Sequence, residues 1–203
     1  VAAQLLILLV WSLKYFNRLS GKTMKNTLGE NLEESLNNPE SWIRQAEQQY
    51  LVADAISENV KKRGLSQESL LKSVGFLNAT TLLLALCVEN SFKGVKAANK
   101  MFKINSRGSL EMETRGGGAS GHSLIQLAEE IGFSLSESEV ALLERLSEIG
   151  IWAGKYHAPI HEKAFMKMCN RNPKLLKLPS DLHMVKNLLN KSTKLARVLA
   201  VLS

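Results

Sequence analysis

At 203 residues with a formal net charge of +7, 45% hydrophobic and 22% charged residues, the chain has the make-up of one globular domain with an extension, which excludes a disordered or low-complexity polymer. Aromatic residues are only 6% and proline occupies four positions, while Leu, Ala, Glu, Lys and Ser dominate, so composition favours helix over sheet. Cys87 and Cys169 show no paired spacing, which excludes a disulfide-stapled scaffold or a zinc ribbon and points to a reducing cytoplasm.

The first apolar run, Leu5 to Val10, continues into Trp11, Leu13, Tyr15 and Phe16. Lys14 and Arg18 interrupt it well short of the roughly 20 apolar residues that a bilayer span requires. It reads as a helix packed on another surface, with a signal remnant or membrane-surface anchor as alternatives, and no membrane partner is expected. Ser20 to Asn38 is polar and reads as a linker. Asn38 and Pro39 then form a cap and first-turn pair, followed by Trp42, Ala46, Tyr50, Ala53, Ile56 and Val60 at helical spacing. Gly64 after Lys61, Lys62 and Arg63 suits the end of that helix.

A short segment, Ser66 to Val74, precedes a long predicted helix from Leu77 to Phe102. Leu82, Leu83, Leu84, Leu86 and Val88 make it apolar on nearly all sides, as a central helix of a bundle should be. Ile104 to Gly121 holds Gly108, Gly116 to Gly118 and Gly121 and reads as a loop. No strand precedes the triple glycine and no Gly-Lys-Ser/Thr comes after it, so a phosphate cradle is not expected. A short helix from His122 to Ile131 ends at Gly132. Ser136 and Glu139 then have capping-box spacing, opening a helix that turns Leu142, Leu143, Leu146 and Ile149 inward. Pro159, Pro173 and Pro179 punctuate the basic region beyond that helix. The last helix is expected to begin near Ser180, with Leu182, Val185, Leu188, Leu189, Leu195, Val198, Leu199 and Leu202 on one face and Lys186, Lys191, Lys194 and Arg197 mostly opposite.

Charge is concentrated late in the chain. From Ile151 to Ser203 there are ten Lys and Arg against Glu162 and Asp181, so 10 − 2 gives +8, more than the +7 of the whole molecule. His157, His161 and His183 lie in the same stretch. Such a block attracts polyanions and suits RNA, DNA, a nucleotide or an acidic protein, although a solvated basic surface accounts for it equally well.

Three stretches carry a family resemblance. They are Pro39 to Ile56, the run from Leu84 through Glu89 and Lys93 to Gly94, and Gly121-His122-Ser-Leu-Ile-Gln-Leu continuing through Leu135-Ser136 to Trp152-Ala-Gly-Lys155-Tyr156. Together they resemble the HEPN (higher eukaryotes and prokaryotes nucleotide-binding) superfamily over roughly residues 39 to 165. The resemblance implies an all-α fold, an antiparallel four- to five-helix bundle, to which the helical readings before residue 39 and after residue 165 add N- and C-terminal helical extensions. Residues 1–38 would form an N-terminal helix and linker. Residues 39–165 would form the bundle, and 166–203 a basic helical extension packed on it or on a second subunit. It further implies a homodimer in a toxin–antitoxin or defence setting, with a nucleotidyltransferase or antitoxin protein as partner.

Active members of that superfamily are metal-independent ribonucleases that use an arginine, a spacer of four to six residues and a histidine. Here the arginine position is taken by Lys155, followed by Tyr156 and, after five intervening residues, His161. Lysine supplies charge without the planar fork that grips a phosphate. The expected function is therefore a binding module for RNA, a nucleotide or a partner protein with a degenerate motif. The alternative is an endoribonuclease in which His161 or His157 moves protons to and from ribose and leaving oxygens while Lys155 stabilises the phosphorus centre.

Tyr156, Lys163, Lys167, Arg171, Glu89 and Lys93 are the candidate ligand-contacting residues. Glu89 and Lys93 also have the spacing of an ordinary helical ion pair. Trp152 and Tyr156 suit core or dimer contacts as well as base stacking. Arg115 and His122 meet the motif spacing only formally, across the glycine loop. His157, His161, Glu162 and Cys169 are a weak metal set because Pro159 breaks the shared helical face, and neither metal nor cofactor is expected.

Overall fold

The computed structural model describes residues 28–61, 67–104, 110, 123–152 and 177–202. These residues form six α-helices: α1 (Leu28–Leu36), α2 (Pro39–Lys61), α3 (Gln67–Ala98), α4 (Leu124–Glu130), α5 (Glu137–Trp152) and α6 (Ser180–Leu202). Among the described residues there is no β-strand, only an isolated antiparallel bridge between Ile104 and Leu110. The all-α class expected from composition is what the chain adopts. The apolar run at Leu5 to Phe16, the glycine triplet and Gly64 lie outside the described residues.

α3 is the central element and packs against α2, α4, α5 and α6. Leu84, Cys87, Val88 and Phe92 of α3 meet Ala46, Tyr50 and Ala53 of α2, Leu142, Leu143 and Leu146 of α5, and Leu182, Val185, Leu188 and Leu189 of α6 in one core. Side-chain pairs fix the helix directions. Asn90 bonds Gln49 while Lys93 lies over Trp42, so α2 and α3 are antiparallel. Glu40 pairs with Arg197 while Lys186 lies over the Tyr50 ring, so α2 and α6 are antiparallel. Glu139 pairs with Lys191 and Arg145 with Asp181, which makes α5 and α6 antiparallel as well.

Lys72–Ala98 is long and apolar enough to cross a membrane by length and composition, with a mean hydropathy of 1.3. It forms most of α3, and Leu84, Cys87, Val88, Phe92 and Val95 within it are among the most buried of the described residues.

The local chemistry explains the helix limits. The Asn38 side chain accepts a hydrogen bond from the Glu40 N–H at 3.1 Å, capping α2 just before Pro39. Ser136 and Glu139 form the reciprocal capping box, with the Ser136 N–H donating to Glu139 Oε2 at 2.8 Å and the Glu139 N–H to Ser136 Oγ at 3.3 Å. α4 closes on a Schellman turn: Phe133 N–H reaches Ala128 O at 2.8 Å, Gly132 N–H reaches Glu129 O at 3.1 Å, and Gly132 takes φ of +65°.

Three elements differ from expectation. Ser66 to Val74 is not a separate segment, because α3 runs unbroken from Gln67 through Gly75; a lone glycine costs a helix only about 1 kcal/mol. α3 stops at Ala98 rather than Phe102, because Lys100 takes a left-handed φ of 52° and the Met101 N–H folds back to Lys96 O. Phe102 then leaves the helix, and its N–H and carbonyl both bond the Asn37 side chain, at 3.1 and 2.8 Å. That clasp, with the Ile104 N–H donating to Glu33 Oε2 at 2.9 Å, ties down α1, which lies in the stretch expected to be a linker. Lastly, Val198 and Leu202 are 49% and 78% exposed, whereas Leu182, Val185, Leu188 and Leu189 of the same expected face are buried and Leu195 and Leu199 are half-buried. Arg197 already stands beside Glu40 in the first turn of α2, so residues beyond it run past the helix that covers the rest of α6.

Candidate functional site

Of the expected ligand-contacting residues, Glu89 and Lys93 are described, and they form a built-in ion pair. The Lys93 ammonium sits 2.6 Å from Glu89 Oε1 and 5.3 Å from the centre of the Trp42 ring. Trp42 is itself fixed: its Nε1–H donates to Leu36 O at 2.7 Å and its ring stacks on Phe102 at 5.4 Å. Lys96 extends the cluster, lying 5.8 Å over the Phe102 ring and 3.0 Å from Glu130. With side chains only 10% and 25% exposed, Glu89 and Lys93 join α1, α2 and α3 at one end of the bundle. A lysine already held by a carboxylate and an aromatic face is a weak anion receptor, so this cluster is better suited to fixing the fold than to gripping phosphate.

At the opposite end, α5 and α6 are clamped together. Arg145 donates from one terminal nitrogen to Asp181 Oδ1 at 2.8 Å and from the other to Ala141 O at 3.1 Å. Asp181 Oδ2 accepts the Lys177 N–H at 2.7 Å, so one carboxylate binds both α5 and the residues that lead into α6. Its side chain is 2% exposed, and each of its two oxygens has a donor. Trp152, the end of α5, and Lys177, before the start of α6, therefore flank the basic stretch 153–176 at one end of the bundle.

The cations of α6 are mostly occupied inside the chain. Lys186 lies 4.6 Å from the centre of the Tyr50 ring. Lys191 is 2.7 Å from Glu139 and Arg197 is 2.9 Å from Glu40. Burial alone would push the Glu139 carboxyl up, but the Lys191 ammonium and the Ser136 donors outweigh it and hold it below the ordinary carboxylate range. Arg197 likewise lowers Glu40, chiefly through their hydrogen bond. Burial pushes Tyr50 up and the Cys87 thiol up to about 12, so Cys87 is an inert core residue.

His183 is exposed on α6 and lines a groove of about 570 Å³ with Ser136, Ser138, Met184, Asn187 and Lys191. Neither this groove nor the Arg145–Asp181 clamp stands out in the sequence, because each joins residues far apart in the chain. Among the described residues no group of three or more His, Cys, Asp and Glu is placed to hold a metal ion. Lys155, Tyr156, His157, His161, Lys163, Lys167 and Arg171 lie outside the described residues, as do Arg115, His122 and Cys169.

Compared with known protein families, curated proteins and solved structures, the chain matches none.

Proposed function

We propose that the chain is a HEPN-like helical binding module that takes RNA, or a nucleotide presenting the same phosphate chemistry, through the basic stretch between α5 and α6. The observation that carries this reading is where the positive charge is left unbalanced. Of the four cations of α6, Lys191 and Arg197 are paired with the Glu139 and Glu40 carboxylates and Lys186 lies over the Tyr50 ring, so that helix contributes less to the surplus than its cation count suggests. From residue 153 to 177 the cations are Lys155, Lys163, Lys167, Arg171, Lys174 and Lys177 against Glu162 alone, so 6 − 1 gives +5. Cations without acidic neighbours in sequence are the kind that a polyanion recruits with counterion release. The alternating directions of α2, α3, α5 and α6 support the bundle that the resemblance implies, and a toxin–antitoxin or defence role with an antitoxin or nucleotidyltransferase partner belongs to the same reading.

The test is fluorescence anisotropy with a labelled single-stranded RNA. Replacing Lys163, Lys167 and Arg171 together by Ala should weaken binding at least tenfold, while Lys191→Ala, which removes a cation already paired to Glu139, should change it less than threefold. Equal effects would place the binding surface on α6 instead. Incubation of the same RNA without metal separates binding from catalysis. On the binding reading the RNA stays intact, whereas products ending in a cyclic phosphate that disappear in Lys155→Ala and His161→Ala would make the chain a ribonuclease.

A further inference from the structure

A groove of about 630 Å³ lies between α2 and the C-terminal half of α6, a volume within the range of small-molecule sites. Its polar end is lined by Glu47 of α2 and by Thr193, Lys194 and Arg197 of α6. Arg197 is held through two of its nitrogens by Glu40, at 2.9 and 3.3 Å, so its charge is already met. Glu47 and Lys194 differ from it: both are exposed, and neither has an ion-pair partner among the described residues. Glu40 and, after it, Glu47 raise the Arg197 pKa, which sets the Glu47 carboxylate near the cationic wall. Thr193 is only 8% exposed, and its hydroxyl is buried with no hydrogen-bond partner among the described residues. A hydroxyl left in that state costs free energy that a bound acceptor would return.

The other end of the groove is apolar. Val198, Val201 and Leu202 line it and are 49%, 86% and 78% exposed. Along the helix axis, Lys194 to Val198 and Val198 to Leu202 are each about 6 Å. One groove thus joins an unmet carboxylate, an unmet ammonium and a buried hydroxyl to an apolar wall about as long as a four-carbon side chain. A fatty acid would bring its carboxylate to the like charge of Glu47, and its chain would run past Leu202. A simple amine would leave Lys194 unmet. A molecule with both charges close together and one short apolar branch satisfies every wall.

We propose that this groove binds a free α-amino acid with a branched apolar side chain. Its ammonium lies at Glu47, its carboxylate at Lys194 and Thr193, and its side chain along Val198, Val201 and Leu202. The site shares no residue with the basic stretch, so its failure and the failure of RNA binding are separate outcomes.

Titration of the full ¹⁵N-labelled chain with L-leucine near neutral pH, followed in ¹H–¹⁵N correlation spectra, tests it. Saturable shifts should centre on Glu47 and on Asn190 to Leu202. N-acetyl-L-leucine lacks the ammonium, L-leucinamide lacks the carboxylate and L-alanine lacks the branch, and each should bind at least tenfold more weakly. Glu47→Gln should weaken L-leucine at least fivefold while changing N-acetyl-L-leucine less than twofold. Lys194→Met should do the same to L-leucine against L-leucinamide. Both positions are exposed, so circular dichroism of the two variants should match that of the unsubstituted chain. Absence of saturable shifts, or shifts centred elsewhere, would overturn the proposal. Equal binding of all four compounds would reduce the groove to an apolar surface and overturn it too. Equal weakening of L-leucine and its N-acetyl analogue by Glu47→Gln would show that Glu47 does not meet the ammonium, and would overturn the assigned pose.

Discussion

Arg145 and Asp181 meet at 2.8 Å across the α5–α6 contact, with side chains only 12% and 2% exposed. Charges buried to this degree have lost their hydration, so each depends on the other more than an exposed pair would. Asp181→Ala strands the guanidinium and also removes the acceptor of the Lys177 N–H. It should destabilise the fold by about 3–5 kcal/mol in urea unfolding. Arg145→Met combined with Asp181→Leu removes both charges and should cost clearly less than either single change. A double variant as unstable as the sum of the singles would show that the pair is not coupled.

Glu139 links the pH response to the start of α5. Its carboxyl is held below the ordinary range, so the folded chain binds that proton more weakly than the unfolded chain does. The stability it contributes is complete above the ordinary carboxylate range and is lost as pH falls through that range and below it. Glu139→Gln should therefore lower stability at neutral pH by about 1.5–3 kcal/mol, the size of a charge-assisted hydrogen bond. The difference from the unsubstituted chain should shrink as unfolding is measured toward pH 3. A difference that persists unchanged at low pH would mean that packing rather than charge is responsible.

Gly94 of α3 lies against the start of α2. A Cβ built there would stand 3.0 Å from Ile43 Cγ1 and 3.5 Å from Pro39 O, and Ile43 is fully buried. Gly94→Val should destabilise by about 1–3 kcal/mol through overpacking, despite removing a glycine from a helix. At Gly75, where nothing lies within 4 Å of the same atom, Gly75→Ala should stabilise by up to about 1 kcal/mol through helix propensity alone. Thermal melts of the two variants should move in opposite directions.

The parts of the fold legible in the sequence are those governed by neighbours in the chain. Asn38 before Pro39, the Ser136 and Glu139 capping box and Gly132 are local signals, and each appears where its chemistry requires. The core face of α6 is readable as far as Leu189, because its periodicity records the burial of Leu182, Val185, Leu188 and Leu189. Where the reading departs from the fold, the cause lies at a distance. α1 is tied in by Asn37 and Glu33 reaching residues 65 and 71 positions away, which no local pattern announces. The exposure of Val198 and Leu202 comes from where α2 begins, not from anything in α6. The candidate site divides in the same way. Glu89 and Lys93 could be paired from their spacing, but the Trp42 ring against Lys93 comes from another helix. The neutralisation of Lys191 by Glu139, 52 residues away, is equally invisible until the helices are packed.

The salt dependence of RNA binding tests the central claim most directly. If the stretch between α5 and α6 docks a single strand through its cations, log K should fall linearly with log salt concentration, by about 0.7 for each phosphate neutralised. The Lys163, Lys167 and Arg171 to Ala variant should lose about 2 from that slope, three contacts' worth. A slope near zero for the unsubstituted chain, or one that the triple substitution leaves unchanged, would contradict the account.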